Sequence, residues 1–185
     1  MRHTVGGLWL CVALLALAAC SSPVPPPPEG AANISNLCNW NAEIAGPGGL
    51  PTSQPLRPTQ TVLDGRGGYH VSCSVKSSGG GYAFSAEIQS EDMSLTLYSG
   101  TASGNSGQVD VLLATTQSLN TYSDTTLSTS PRCTVSPTTN TNPGVFIAEP
   151  GSIWAQYNCT EVATQSDLSN TCSPRGIFVF TGCDR

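Results

Sequence analysis

The residues best suited to chemistry in this 185-residue chain are its eight cysteines. Cys38, Cys73, Cys133, Cys159, Cys172 and Cys183 lie beyond the N-terminal apolar run and form an even set. No two of them stand at the short spacing typical of zinc sites, so their pattern favours three disulfides over a metal centre. Sequence leaves the connectivity open; the preferred pair is Cys159 with Cys172, which would close a polar loop between two expected strands. His70 could act as a general base with Asp64 or Asp110, but a histidine that alternates with serines and a lysine reads as a solvated side chain. Adjacent Glu91 and Asp92 would face opposite ways on a strand, and in a charged hairpin turn they are the common alternative to a calcium site. Serine chemistry finds no frame. The stretch Gly104, Asn105, Ser106, Gly107 is not a nucleophile elbow, and Cys73 stands three residues before Lys76, the one lysine, where a Ser-x-x-Lys pair needs serine. No catalytic residue, cofactor or metal is therefore assigned. Trp40 and Trp154 remain as candidate ligand-binding residues, since indole rings offer a broad apolar face to a sugar or a protein partner.

These residues must be positioned by a chain that opens as an export address. Arg2 and His3 precede an apolar run from Leu8 to Ala18, which ends in small residues and Cys20. A spanning helix needs about 20 apolar residues, and Ser21, Ser22 and a proline run follow Cys20 at once, so residues 1–19 read as a signal peptide. Removing Arg2 with that segment leaves six Lys and Arg against twelve Asp and Glu, and His70 as the one histidine. This acidic balance argues against nucleic acid and against an electrostatic hold on anionic lipid.

The residues Leu17, Ala18, Ala19 and Cys20 resemble the lipobox of bacterial lipoproteins. The resemblance implies cleavage before Cys20, a diacylglyceryl group on its thiol, and attachment to a membrane through the N-terminal lipid. Two or three acyl chains on one terminus make such an anchor durable, where one chain gives marginal binding. Ser21 differs from the aspartate that resembles an inner-membrane retention signal, so a cell-envelope location, at the outer membrane of a Gram-negative cell, is the expectation. In that oxidising setting the six remaining cysteines are expected as bridges.

Ser21 to about Asn36, with Pro25 to Pro28, reads as a semi-rigid spacer, so residues 20–36 are expected as a lipidated tether and 37–185 as one β domain. Residues 38–58, rich in Gly and Pro, read as irregular. Period-two alternation then recurs. Tyr69, Val71, Cys73 and Val75 share one face, Tyr82, Phe84, Ala86 and Ile88 another, and Met93, Leu95 and Leu97 a third, with a turn at Gly79 to Gly81. Gln108 to Ser130 also fits a helical stripe, and its threonines favour strand. Val145 to Ala148, Ser152 to Thr160 and Gly176 to Cys183 read as further short strands. The fold expected is all-β, an antiparallel β-sandwich or alternatively a small β-barrel, stapled by three disulfides. The last third, with tryptophan in a strand ending at Cys159, a looped Cys172 and phenylalanines before Cys183, is similar to small uncharacterised disulfide-bonded envelope lipoproteins; this resemblance implies a fold and no activity.

The functional expectation is a non-enzymatic envelope module, surface or periplasmic, that binds an envelope protein or glycan or has a structural part. A hydrolase acting on envelope polymers through carboxylates from separate strands is one alternative. A carrier holding a small apolar ligand inside a barrel is the other. Asn33-Ile-Ser35 and Asn158-Cys-Thr160 match a glycosylation acceptor, a chance match in a chain with a bacterial export signal.

Overall fold

The computed structural model describes residues 25–37, 40–44, 61–115, 121–123, 132–138, 144–164, 166–169 and 171–185. Regular structure among them is entirely strand: β1 (Glu29–Leu37), β2 (Trp40–Ile44), β3 (Val62–Leu63), β4 (His70–Ser78), β5 (Gly81–Gln89), β6 (Met93–Ser103), β7 (Ser106–Thr115), β8 (Thr121–Ser123), β9 (Cys133–Ser136), β10 (Ile147–Glu149), β11 (Ser152–Asn158), β12 (Val162–Thr164), β13 (Thr171–Cys172) and β14 (Arg175–Thr181). The all-β expectation holds, and the strands of Gln108 to Ser130 that are described, β7 and β8, are extended as their threonines suggested.

The central unit is a meander of β4, β5, β6 and β7. Its first turn is Gly79-Gly80, both with positive φ (57° and 86°), the geometry a two-residue hairpin of right-handed twist requires. The ladder from that turn runs unbroken from Ser78↔Gly81 to His70↔Gln89, so Val71 and Val75 share a face with Phe84, Ala86 and Ile88. β7 then serves two partners: its first residues pair with β9 and its last with β8. From β9 the sheet continues through β11 and β14 to β1 and β2, and from β8 through β12 to β13.

The sheet curls until it nearly closes on itself. Beyond β14, Asp184 forms a parallel bridge with Ser74 of β4. Val75 N–H donates to the Asp184 carbonyl (2.9 Å), Asp184 N–H to Cys73 (3.0 Å), and Gly151 N–H to Val75 (3.2 Å). A disulfide joins Cys73 to Cys183 across this seam. The architecture is thus close to a barrel and is not a clear sandwich. One continuous sheet explains the difference, because its strands alternate in burial just as two packed sheets would.

The inward faces fill the interior. Val71, Val75, Ile88, Leu95, Leu97, Val111 and Leu113 from the meander meet Ile153, Tyr157, Phe178 and Phe180 from β11 and β14. Phe178 sits at the centre, with ring centroids 6.1 Å from Phe84, 6.3 Å from Tyr157 and 6.2 Å from Phe180. Each such ring excludes enough apolar surface from water to contribute about 2–3 kcal/mol, and truncating one to alanine costs about 3–5 kcal/mol. β14 is buried on both faces from Gly176 to Phe180, the outer one by a small cluster of Ala31, Ile177 and Val179 with Trp154 against it.

The N-terminal expectation needs correction. Glu29 to Leu37 is a strand paired with β14 from Glu29↔Thr181 to Ser35↔Arg175, so the domain begins well before residue 37. Even Pro28 is engaged, its carbonyl accepting from Asp64 N–H at 3.0 Å. The spacer reading failed here because Ala31, Ala32, Asn33 and Ile34 are all buried, and a strand covered on both faces shows no alternation. Part of the stretch read as irregular, residues 40–44, is likewise strand β2.

Candidate functional site

The cysteines are placed first by register. β9 and β11 pair as Ser136↔Gln156, Val135↔Tyr157 and Thr134↔Asn158, so the next rung brings Cys133 opposite Cys159. These two form a disulfide with Cα atoms 4.1 Å apart. The preferred Cys159–Cys172 pair is therefore overturned, since a strand ladder, and not the loop that follows it, selects the partner of Cys159. Cys172 is itself disulfide-bonded, in β13 beside Val162, and its partner lies outside the described residues. Cys20 and Cys38 are outside the described residues as well, as is the side chain of Trp40.

His70 and Asp64 do come together. His70 Nδ1 lies 2.9 Å from Asp64 Oδ1, on an exposed edge at the start of β4. The same Oδ1 accepts the Val71 N–H at 2.8 Å. That amide bond is the leading reason the Asp64 carboxyl is held below its ordinary range; desolvation opposes it, and the His70 hydrogen bond and charge and the Gly65 amide add to the lowering. Asp64 thereby closes the turn between β3 and β4. An aspartate that orients an imidazole is half of a general-base arrangement. The pair clasps the turn that leads into β4, and among the described residues no serine hydroxyl bonds this histidine.

Asp110 belongs to a different cluster, which sequence reasoning missed. Arg132 Nε donates to Asp110 Oδ1 at 2.6 Å, and its Nη2 donates to the Ser99 carbonyl. Ser99 has φ of 51°, unusual for a residue with a side chain, at the bulge where the β6–β7 register shifts between Tyr98 and Thr101. The guanidinium holds this bulge in place, and the buried Asp110 carboxylate receives a partner. No local spacing signals it, because the three residues come from separate strands and loops.

Trp154 is half-buried in the outer cluster with Ile177 and Val179, and its Nε1 is buried with no hydrogen-bond partner among the described residues. Packing on β14 thus occupies part of its face. Tyr157 is fully buried, which pushes its phenol well above the ordinary range, and its hydroxyl reaches the Asn33 carbonyl at 3.4 Å. Asn33 is also buried, with Oδ1 accepting from Ile177 N–H at 2.7 Å, so its amide is spent inside the sheet. Glu91 and Asp92 are exposed in the turn between β5 and β6. Among the described residues no group of three or more His, Cys, Asp or Glu could hold a metal ion.

Beside the bulge an open groove of about 430 Å³ runs between the β4–β5 and β6–β7 hairpins. Ser78, Thr101, Ser103, Ser106 and Gln108 line it with exposed polar side chains, Tyr82 is half-buried there, and no charged residue contributes. No family model matches the chain, and neither a curated protein nor a solved structure shows significant similarity to it.

Proposed function

We propose that this chain is an exported lipoprotein, anchored through Cys20, whose all-β domain is a non-enzymatic binding or structural module of the cell envelope. The observation that carries the reading is the pair of disulfides Cys73–Cys183 and Cys133–Cys159, which join segments distant in sequence and are compatible with an extracytoplasmic, oxidising setting. Export through the N-terminal segment delivers the chain to such a compartment, and the lipid on Cys20 retains it at a membrane. The aromatic rings that meet in the interior weigh against a carrier, because they occupy the space in which its ligand would sit.

Two measurements test the reading. Metabolic labelling with a radioactive fatty acid should label the wild-type protein and not Cys20→Ser; an unlabelled wild type refutes the anchor. Affinity capture from envelope extract on the oxidised protein should retain a specific and saturable ligand. Turnover of an envelope polymer by the purified protein would replace the module with the hydrolase.

A further inference from the structure

Resting on the binding-module reading, we infer that the groove between the β4–β5 and β6–β7 hairpins is a site for a neutral oligosaccharide. The chain as a whole is acidic, with a formal charge of −5, yet the groove is lined without any charged side chain. Its chemistry is that of hydroxyls and one amide. Ser78, Thr101, Ser103 and Ser106 are exposed, and with Gln108 they make no side-chain hydrogen bond within the described structure, so their donors and acceptors face outward. A hydroxyl is both donor and acceptor and a primary amide offers both from fixed positions, which matches the alternating donors and acceptors of a sugar edge. Tyr82 pairs with Ala102 on the inward face and packs against the core, so it backs the groove from the interior. The contacts to a sugar come from the hydroxyls and the amide on the outward face.

The walls are held in place by more than the hairpin ladders. A Cβ at Gly107 would overlap the Thr101 carbonyl oxygen, and one at Gly81 would overlap that of Ala102, so glycine at both positions lets the hairpin strands approach closely. The bulge at Ser99, fixed by Arg132 and Asp110, turns β6 immediately before Thr101. Bulges re-aim the side chains that follow them. A non-glycine residue held in the left-handed region by a half-buried ion pair is the kind of local strain that accompanies binding sites. The groove's volume falls in the range of small-ligand sites, about 300–1,000 Å³. Its openness to solvent and lack of charge point to modest affinity, with specificity from hydrogen-bond geometry.

The test is saturation-transfer NMR on the full, lipidated protein in nanodiscs, with N,N′-diacetylchitobiose and maltose as neutral probes and a sialylated trisaccharide as the charged one. Transfer to ring protons of at least one neutral probe is expected, reduced five-fold or more by the double variant Thr101→Ala/Gln108→Ala and unchanged by Trp154→Phe. Both variants replace partly exposed side chains, and a wild-type circular dichroism spectrum shows that each is folded. Loss with Trp154→Phe alone would overturn this site while leaving the binding-module reading intact. Equal transfer to the charged probe, or none to any probe when envelope capture succeeds with another ligand, would also overturn the assignment. Failure of capture and of every probe would remove the underlying reading itself.

Discussion

Removing the seam disulfide, as Cys73→Ala/Cys183→Ala, should cost the domain about as much stability as many small proteins possess in total. The bridge closes a loop of 110 residues. In the chain-entropy model the crosslink removes about 2.1 + 1.5R ln n cal/mol/K from the unfolded chain, or about 4.8 kcal/mol at room temperature for this loop. Domains of this size are stable by about 5–15 kcal/mol, so the variant should be folded marginally or just below the threshold. The loss has a local signature too. Val75, Gly151 and Asp184 donate backbone hydrogen bonds of the seam, which the bridge crosses. Urea titration near the temperature of maximum stability gives the global term, and the m-value should rise because the unfolded chain without its crosslink exposes more surface. Amide exchange gives the local one: protection at Val75, Gly151 and Asp184 should fall below that of Leu95 and Leu113, which sit in the interior of the meander. A stability loss under about 1 kcal/mol, or seam amides that still exchange with the core, would refute the view that this bridge closes the sheet.

Three further outcomes are expected. Peptide mapping under non-reducing conditions should pair Cys172 with Cys38, the one cysteine after Cys20 left once Cys73–Cys183 and Cys133–Cys159 are assigned; free thiols in the native protein would contradict this. An NMR titration should place the Asp64 carboxyl below 3.8, and His70→Ala should raise it without removing the Val71 amide bond that is the leading cause of the depression. The sign follows: a lowered folded-state value favours the carboxylate, so the contribution is full above 3.8 and fades as pH falls through the lowered value. Gly176→Ala should destabilise by about 3 kcal/mol or more, since its Cβ would overlap the Asn33 carbonyl oxygen and lie 2.7 Å from the Tyr157 ring, whereas Gly79→Ala, open but at φ of 57°, should cost about 1 kcal/mol by urea titration.

What sequence could show, and what it could not, follows burial geometry. β4, β5 and β6 were legible because each has one wet and one dry face, so Val71, Val75, Phe84 and Ile88 stand at alternate positions. β1 was hidden because its central residues are buried on both faces and a proline run precedes it. The closure was hidden for another reason. Register between β9 and β11, or between β4 and the residues after β14, is set by packing across the fold, and neither partner's local sequence carries it. The same holds for Asp110, Arg132 and Ser99, which come together only once β6, β7 and the start of β9 are in place. His70 and Asp64, six residues apart, were close enough in the chain to be weighed as a pair.

The position of the seam explains why a disulfide stands there. The meander joins each strand to the next by a tight turn, so its ladders close small loops and follow from local sequence. The contact between β4 and Asp184 is parallel, spans more than half the chain and is made by a few backbone bonds beside a turn at Pro150-Gly151. Parallel pairing is slightly weaker per residue than antiparallel, and here a few bonds must also meet the entropy of closing a 110-residue loop. A covalent bond is most effective where that entropy is greatest, because it acts by restricting the unfolded chain. Cys133–Cys159 does a different job, joining two strands that already face each other across a ladder. The two bridges thus secure separate weaknesses, one at the seam of the curl and one where β9 offers only a four-residue strand to both β7 and β11.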